Sequence, residues 1–125
     1  MKINIHFQNN YSVEAEIFDS PTGRAIYNAL PFQATVNTWG DEIYFPAPAD
    51  SGLEPGAQPE VAVGNLAYWP PMPAFCIFFG PTPMSSDTTP VAASAVNVFG
   101  RLMNVDIEAL RSVPDGTEVR VEKAE

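Results

Sequence analysis

A chain of 125 residues with 46% hydrophobic and 17% charged side chains is one globular domain, spanning residues 1–125 and large enough to bury a core without staples. Its net charge is −9, and its six basic residues lie scattered as Lys2, Arg24, Arg101, Arg111, Arg120 and Lys123. No basic patch can be assembled from them, which argues against nucleic acid and anionic membrane as partners, while the single cysteine excludes an internal disulfide.

The amino terminus alternates Ile3, Ile5 and Phe7 with Lys2, Asn4 and His6, which reads as a strand. It has no apolar run of the kind a signal peptide needs, and no window elsewhere approaches a membrane span, so a cytoplasmic location is expected. Asn9-Asn10 supplies a hairpin turn into a second strand that alternates Val13, Ala15 and Ile17 with Ser12, Glu14 and Glu16. Ser20-Pro21 then predicts a helix start, with a hydroxyl for the orphan amides and a proline at the first position. That helix carries Ala25, Ile26, Ala29 and Leu30 on one stripe and stops before Pro31.

Residues 32–39 and 41–45 read as the next strands, bent at Gly40. Pro46 to Pro59 is too polar and too broken for regular structure and reads as a surface loop. Further strands are expected at 60–63, 66–69, 74–79 and 95–103, with a second long loop from Pro81 to Ser94. Asp106 caps a short helix bearing Ile107, Leu110 and Val113, and a last strand alternates Val119 and Val121 with Glu118, Arg120 and Glu122. About eight strands and two short helices cannot leave so many strand edges open, and a closed barrel capped by the helices is the expected solution.

Several segments then carry a family resemblance. Gly64-Asn-Leu-Ala67, Phe75-Cys-Ile77 and Val98-Phe-Gly-Arg-Leu102 stand in the order of the cyclophilin segments G-x-L-x-M-A, Q-F-F-I and V-F-G-K-V, and Thr38-Trp-Gly-Asp41 looks like the upstream Q-G-G-D. The strings Thr35 to Phe45 (T-V-N-x-W-G-D-E-I-Y-F) and Ala67 to Gly80 (A-Y-W-P-P-x-x-A-F-C-I-F-F-G) more closely resemble a small prokaryotic group of cyclophilin-like proteins. The resemblance implies a mainly β, closed cyclophilin-like barrel. It does not carry an activity with it.

Prolyl isomerisation is the enzyme reading that the resemblance suggests. It needs a slot for the proline ring and a cation that stabilises the twisting imide against a barrier of about 18–20 kcal/mol. Carried across the family pattern, the catalytic arginine's strand falls between Leu30 and Val36, which holds no basic residue. The ring-packing Phe falls on Cys76, the loop Trp near Met84 and the pocket His near Val96. Four departures at four positions weigh against catalysis, unless Arg24 or Arg101 reaches the pocket from elsewhere.

Other constellations are weaker. His6 lies on the polar face of its strand and reads as solvated. With one His and one Cys, no metal and no cofactor is expected. Cys76, within Phe-Cys-Ile-Phe-Phe, reads as a small core hydrophobe, and Asp41-Glu42 as an exposed turn rather than an acid–base pair. Trp69-Pro70-Pro71-Met72-Pro73 sets a Trp and a stiff apolar turn at a strand end, where a barrel mouth would lie.

The reading is therefore a barrel that binds a small ligand or peptide segment in an apolar pocket. Trp69, Cys76, Met84 and Val96 are the expected lining, with Tyr68 and Phe78 beside them. The alternatives are an isomerase with a non-standard site, and a protein-interaction module or subunit with the Pro46–Pro59 loop as its contact, which leaves open a homo-oligomer or a protein partner.

Overall fold

A computed structural model describes residues 1–124. The elements run β1 (Lys2–Phe7), β2 (Tyr11–Ile17), α1 (Pro21–Asn28), β3 (Phe32–Thr35), β4 (Asn37–Thr38), β5 (Glu42–Pro46), β6 (Gln58–Glu60), β7 (Asn65–Trp69), β8 (Ala74–Phe78), β9 (Val91–Leu102), α2 (Ile107–Arg111) and β10 (Glu118–Lys123). Ser20 caps α1 by accepting from the Gly23 amide, and Asp106 caps α2 by accepting from the Ala109 amide. Asn10 takes the left-handed turn position between β1 and β2, at φ 71.

The strands pair in the order β3-β10-β1-β2-β9-β7-β8-β5-β4, with β6 added along β9, and every pairing is antiparallel. This corrects the expected closed barrel of about eight strands. Among the described residues there are ten strands, and their hydrogen-bonded path is open, starting at β3 and ending at β4. Those two strands are consecutive in the chain, and only Val36 separates them. The Val36 amide donates to Thr117 O at 2.8 Å and its carbonyl accepts from Gly116 N at 2.8 Å. Residues 32–39 therefore leave one edge of the sheet and turn to the other as they pass Val36, rather than forming one strand.

Inside the curved sheet, Ile3, Ile5, Ile17, Ile43, Phe45, Phe75, Phe99 and Val121 pack into the main core with Ile26 of α1 and Leu110 of α2. The central strand β9 pairs with β2, β7 and β6. Gly100 allows β2 to approach there, since a Cβ would meet Glu16 O at 2.4 Å. A bulge sits where Leu66 pairs with Gly100 and Ala67 with Val98. The extra residue re-phases the alternation, so Phe99 and Leu102, three apart, both reach the core.

The long segment before β6 is not a free loop. Asn97, buried in β9, accepts from Glu54 N at 2.8 Å and donates to Gly52 O at 2.8 Å and to Thr22 Oγ1 at 3.0 Å. Tyr68 accepts from Ser51 N at 2.7 Å. Among the described residues no helix is long and apolar enough to cross a membrane.

Candidate functional site

Four neighbouring strands, β5, β8, β7 and β9, bury residues on both of their faces. Along β5, Ile43 and Phe45 turn to the main core, so alternation sends Glu42 and Tyr44 to the opposite face. Along β8, Phe75 and Ile77 turn inward while Ala74, Cys76 and Phe78 turn outward, where they join Ala67 of β7, Ala92 and Val96 of β9, and Val61 in a second, smaller apolar cluster. The register sets Tyr44 opposite Cys76 and Glu42 opposite Phe78.

Side-chain size then shapes this face. Its floor is made of small groups, Cys76, Ala92 and Val96, and its walls are Trp39, Tyr44, Trp69 and Met72. Large walls around a small floor leave a cavity of about 290 Å³, with Glu42 on its lining. Both tryptophans of the chain stand on it. The Trp69 indole is fixed by donating from Nε1 to Ser94 Oγ at 2.7 Å. Trp39 and Glu42 are held together by a tight hairpin in which their backbones exchange hydrogen bonds of 3.0 and 3.2 Å. Gly40, at φ 60, fills the first central position of that turn, and a Cβ there would meet Thr82 Cα at 2.9 Å.

Glu42 is 6% exposed. No described lysine, arginine or histidine pairs with it. Burial pushes its carboxyl up to about 7, against a smaller opposing pull from the Cys76 thiol. The thiol is itself pushed well above its usual range, first by burial and then by Glu42, which makes it unreactive. The expectation of an exposed turn is corrected for Glu42. The turn ends one residue earlier, at Asp41, and Glu42 is already on the strand.

The structure brings Trp69, Cys76 and Val96 together on the cavity. Met84 lies off it, 56% exposed on a loop tied by Thr82 N to Ser85 Oγ at 2.9 Å. Tyr68 also lies off it, because strand alternation turns its ring into the main core, where its hydroxyl reaches Ser51 and Asp50. Phe78 is wholly buried in the smaller cluster and does not reach the cavity surface. The cavity sits on the outward face of the sheet, not at a barrel mouth. Sequence reasoning missed Trp39, Glu42, Tyr44 and Met72 as lining residues. The polar–apolar alternation Glu42-Ile-Tyr-Phe45 was the available signal, because it puts Glu42 and Tyr44 on one face.

The basic residues considered for an isomerase lie elsewhere. Arg24 pairs with Asp19, and Arg101 with Glu16 at 3.0 Å. His6 is bonded to Ser12 Oγ at 2.8 Å and to Glu122 at 3.1 Å on the surface. A second, larger groove of about 530 Å³ runs along β6 and β9, lined by residues such as Pro55 of the preceding segment, Gln58 of β6 and Asn65 at the start of β7.

Comparison with known proteins gives a consistent picture. The solution structure of the hypothetical protein AF2241 from Archaeoglobus fulgidus is 43% identical, superposes with a TM-score of 0.82, and covers 99% of this chain and 95% of its own. The structure of McbB in complex with tryptophan superposes at 0.70 over 98% of this chain and 44% of McbB, with 16% identity, a likeness of fold alone. No curated protein matches the sequence. The cyclophilin-like family model matches residues 1–122, and the chain belongs to the cyclophilin-like family.

Proposed function

We propose that this protein binds a small, largely apolar ligand or a short peptide segment in the Trp39–Trp69 cavity, in the cytoplasm. The observation that carries the reading is the concave apolar face itself. Two tryptophans, a tyrosine and a methionine wall a small-residue floor on the side of the sheet away from the main core. Aromatic side chains held by a hydrogen bond, as Trp69 is by Ser94, bind with little loss of side-chain freedom.

The isomerase alternative lacks support at this site. No arginine or lysine is among the lining residues, so nothing there stabilises a pyramidal imide nitrogen.

The test is a titration of an Ala-Pro peptide panel and an apolar fragment set into isotope-labelled protein, with cis–trans exchange recorded on the peptides. Shifts centred on Tyr44, Trp69, Cys76 and Val96, lost in Trp69→Ala and kept in Met84→Ala, are expected, with exchange at its uncatalysed rate. Shifts confined to the Gln58–Asn65 groove, or none at all, would overturn the reading. Accelerated exchange would restore the isomerase.

A further inference from the structure

The cavity has one feature that an apolar ligand alone leaves unexplained. Glu42 lines it while 94% of its surface is out of solvent, and the described residues give its carboxylate no cation. A buried carboxylate without a counter-ion is costly, and it either takes up a proton or finds a partner in a side chain, a metal or a ligand. No described side chain supplies a counter-ion here. The Cys76 thiol of β8 hydrogen-bonds to Glu42, Tyr44 is the other titratable group lining the cavity, and none of its described lining residues is cationic. The adjacent Asp41 is already paired with Arg111 at 2.7 Å.

Trp39, Tyr44 and Trp69 line the same cavity as Glu42. The faces of such rings are electron-rich and attract ammonium groups, most strongly where water is excluded. The whole chain, at −9, also draws cations toward it.

We propose that the cavity recognises an organic monocation, a primary or N-methylated ammonium on a small apolar body, with Glu42 as counter-ion and Trp39, Tyr44 and Trp69 as the aromatic wall. The inference rests on the reading of this cavity as a ligand site and names the ligand's class. The ammonium donates to the Glu42 carboxylate, its alkyl or aryl body fills the space over Cys76, Ala92 and Val96, and its remaining positive face lies against the rings. The same ammonium chemistry is carried by a free amine and by a lysine side chain.

The experiment uses two probes of one shape, benzylamine and benzyl alcohol, followed by intrinsic fluorescence. Both tryptophans of the chain line the cavity, so either probe reports on occupancy directly. At about pH 8 benzylamine is a cation and Glu42 is largely ionised. Benzylamine is expected to bind at least about tenfold more tightly than benzyl alcohol, since its hydrogen bond to Glu42 is charge-assisted. Glu42→Gln should erase that preference. Equal affinities in the natural protein, or a preference that survives Glu42→Gln, overturn the cation inference while leaving the apolar pocket intact. A response to neither probe overturns both.

If Glu42→Gln fails to fold, the pH series of the natural protein decides. Benzylamine stays protonated from about pH 5 to about pH 8, so its affinity must rise with pH as Glu42 ionises, and a flat profile sinks the proposal. N-acetyl-lysine methylamide titrated in parallel separates the two sources: tighter binding than benzylamine identifies a lysine side chain, and weaker binding a free amine.

Discussion

Asp41 and Glu42 share a peptide bond and have opposite electrostatic surroundings. Asp41 accepts from the Arg111 guanidinium at 2.7 and 3.1 Å, tying the turn before β5 to α2. Glu42, one step into the strand, is buried on the cavity with no cation beside it. One carboxylate is held in an ion pair, and the other lines the cavity without one. The Asp41 bridge ties to α2 the same hairpin that carries Trp39 and Glu42.

The first prediction concerns stability against pH. Glu42 has its folded pKa raised from 4.5 to about 7. The folded state therefore holds a proton that the unfolded chain has released across that range. The sign follows: this contribution is fully present below 4.5 and is lost as pH rises toward 7. Each pH unit between the two values weakens folding by about 1.4 kcal/mol, which sums to about 3 kcal/mol. Glu42→Gln removes the dependence. Urea denaturation at about pH 5 and about pH 8 should show the natural protein losing stability relative to the variant on going to the higher pH. An identical pH response in both proteins would contradict the burial of an ionisable carboxyl here.

The second concerns the thiol. Cys76 is 1% exposed and held in its neutral form by burial and by Glu42. An aromatic disulfide reagent should therefore react with the native protein at least about 100-fold more slowly than with the denatured chain, at a rate set by opening. Rapid native-state labelling would mean that the cavity floor is open to bulky molecules.

Much of the fold was legible because alternation and capping are local. The spacing of Ile3, Ile5 and Phe7, the Ser20 and Asp106 caps and the Asn9-Asn10 turn each act through neighbours a few residues away. The path of the sheet was not legible. Whether β3 meets β4 depends on Val36 bonding Gly116 and Thr117, some eighty positions distant. The site was half legible for the same reason. Trp69, Cys76 and Val96 carry an apolar signal that points to a buried face, but which face is set by register. Tyr68, next to Trp69, falls to the other side, and Glu42 looked exposed because its charge outweighs its strand position.

The third prediction sets two buried phenols against each other. Tyr68 spends its hydroxyl on Ser51 N and Asp50, while the buried Tyr11 hydroxyl finds no hydrogen-bond partner among the described residues. Removing a paired group strands its partner, and removing an unpaired one relieves a desolvation cost. Tyr68→Phe should destabilise by about 1–2 kcal/mol. Tyr11→Phe should be neutral or stabilising, with its stack on Phe7 at 5.8 Å retained. Equal losses in thermal denaturation would show that Tyr11 has a partner in solution.

The fourth tests how the long segment before β6 is held. Asn97 is 4% exposed and makes three hydrogen bonds, accepting from Glu54 N and donating to Gly52 O and Thr22 Oγ1. Thr22 in turn donates its backbone amide to Glu54 at 3.1 Å, so α1, β9 and the segment meet at one buried polar knot. Asn97→Ala strips Glu54 N and Gly52 O of these partners and Thr22 Oγ1 of one of its bonds, and should cost about 2–3 kcal/mol. Asn97→Asp keeps the shape and the bond from Glu54 N, yet loses both donors and sets a second carboxylate beside Glu54. Its loss should be larger near neutral pH and shrink on acidification, as the introduced carboxyl gains a proton that can be donated. Amide exchange gives the sharper reading, because both variants should lose protection first at Ser51 and Glu54, while Cys76 and Phe78 stay protected. Simultaneous loss of protection across β8 would mean that the knot holds the whole sheet, not the segment alone.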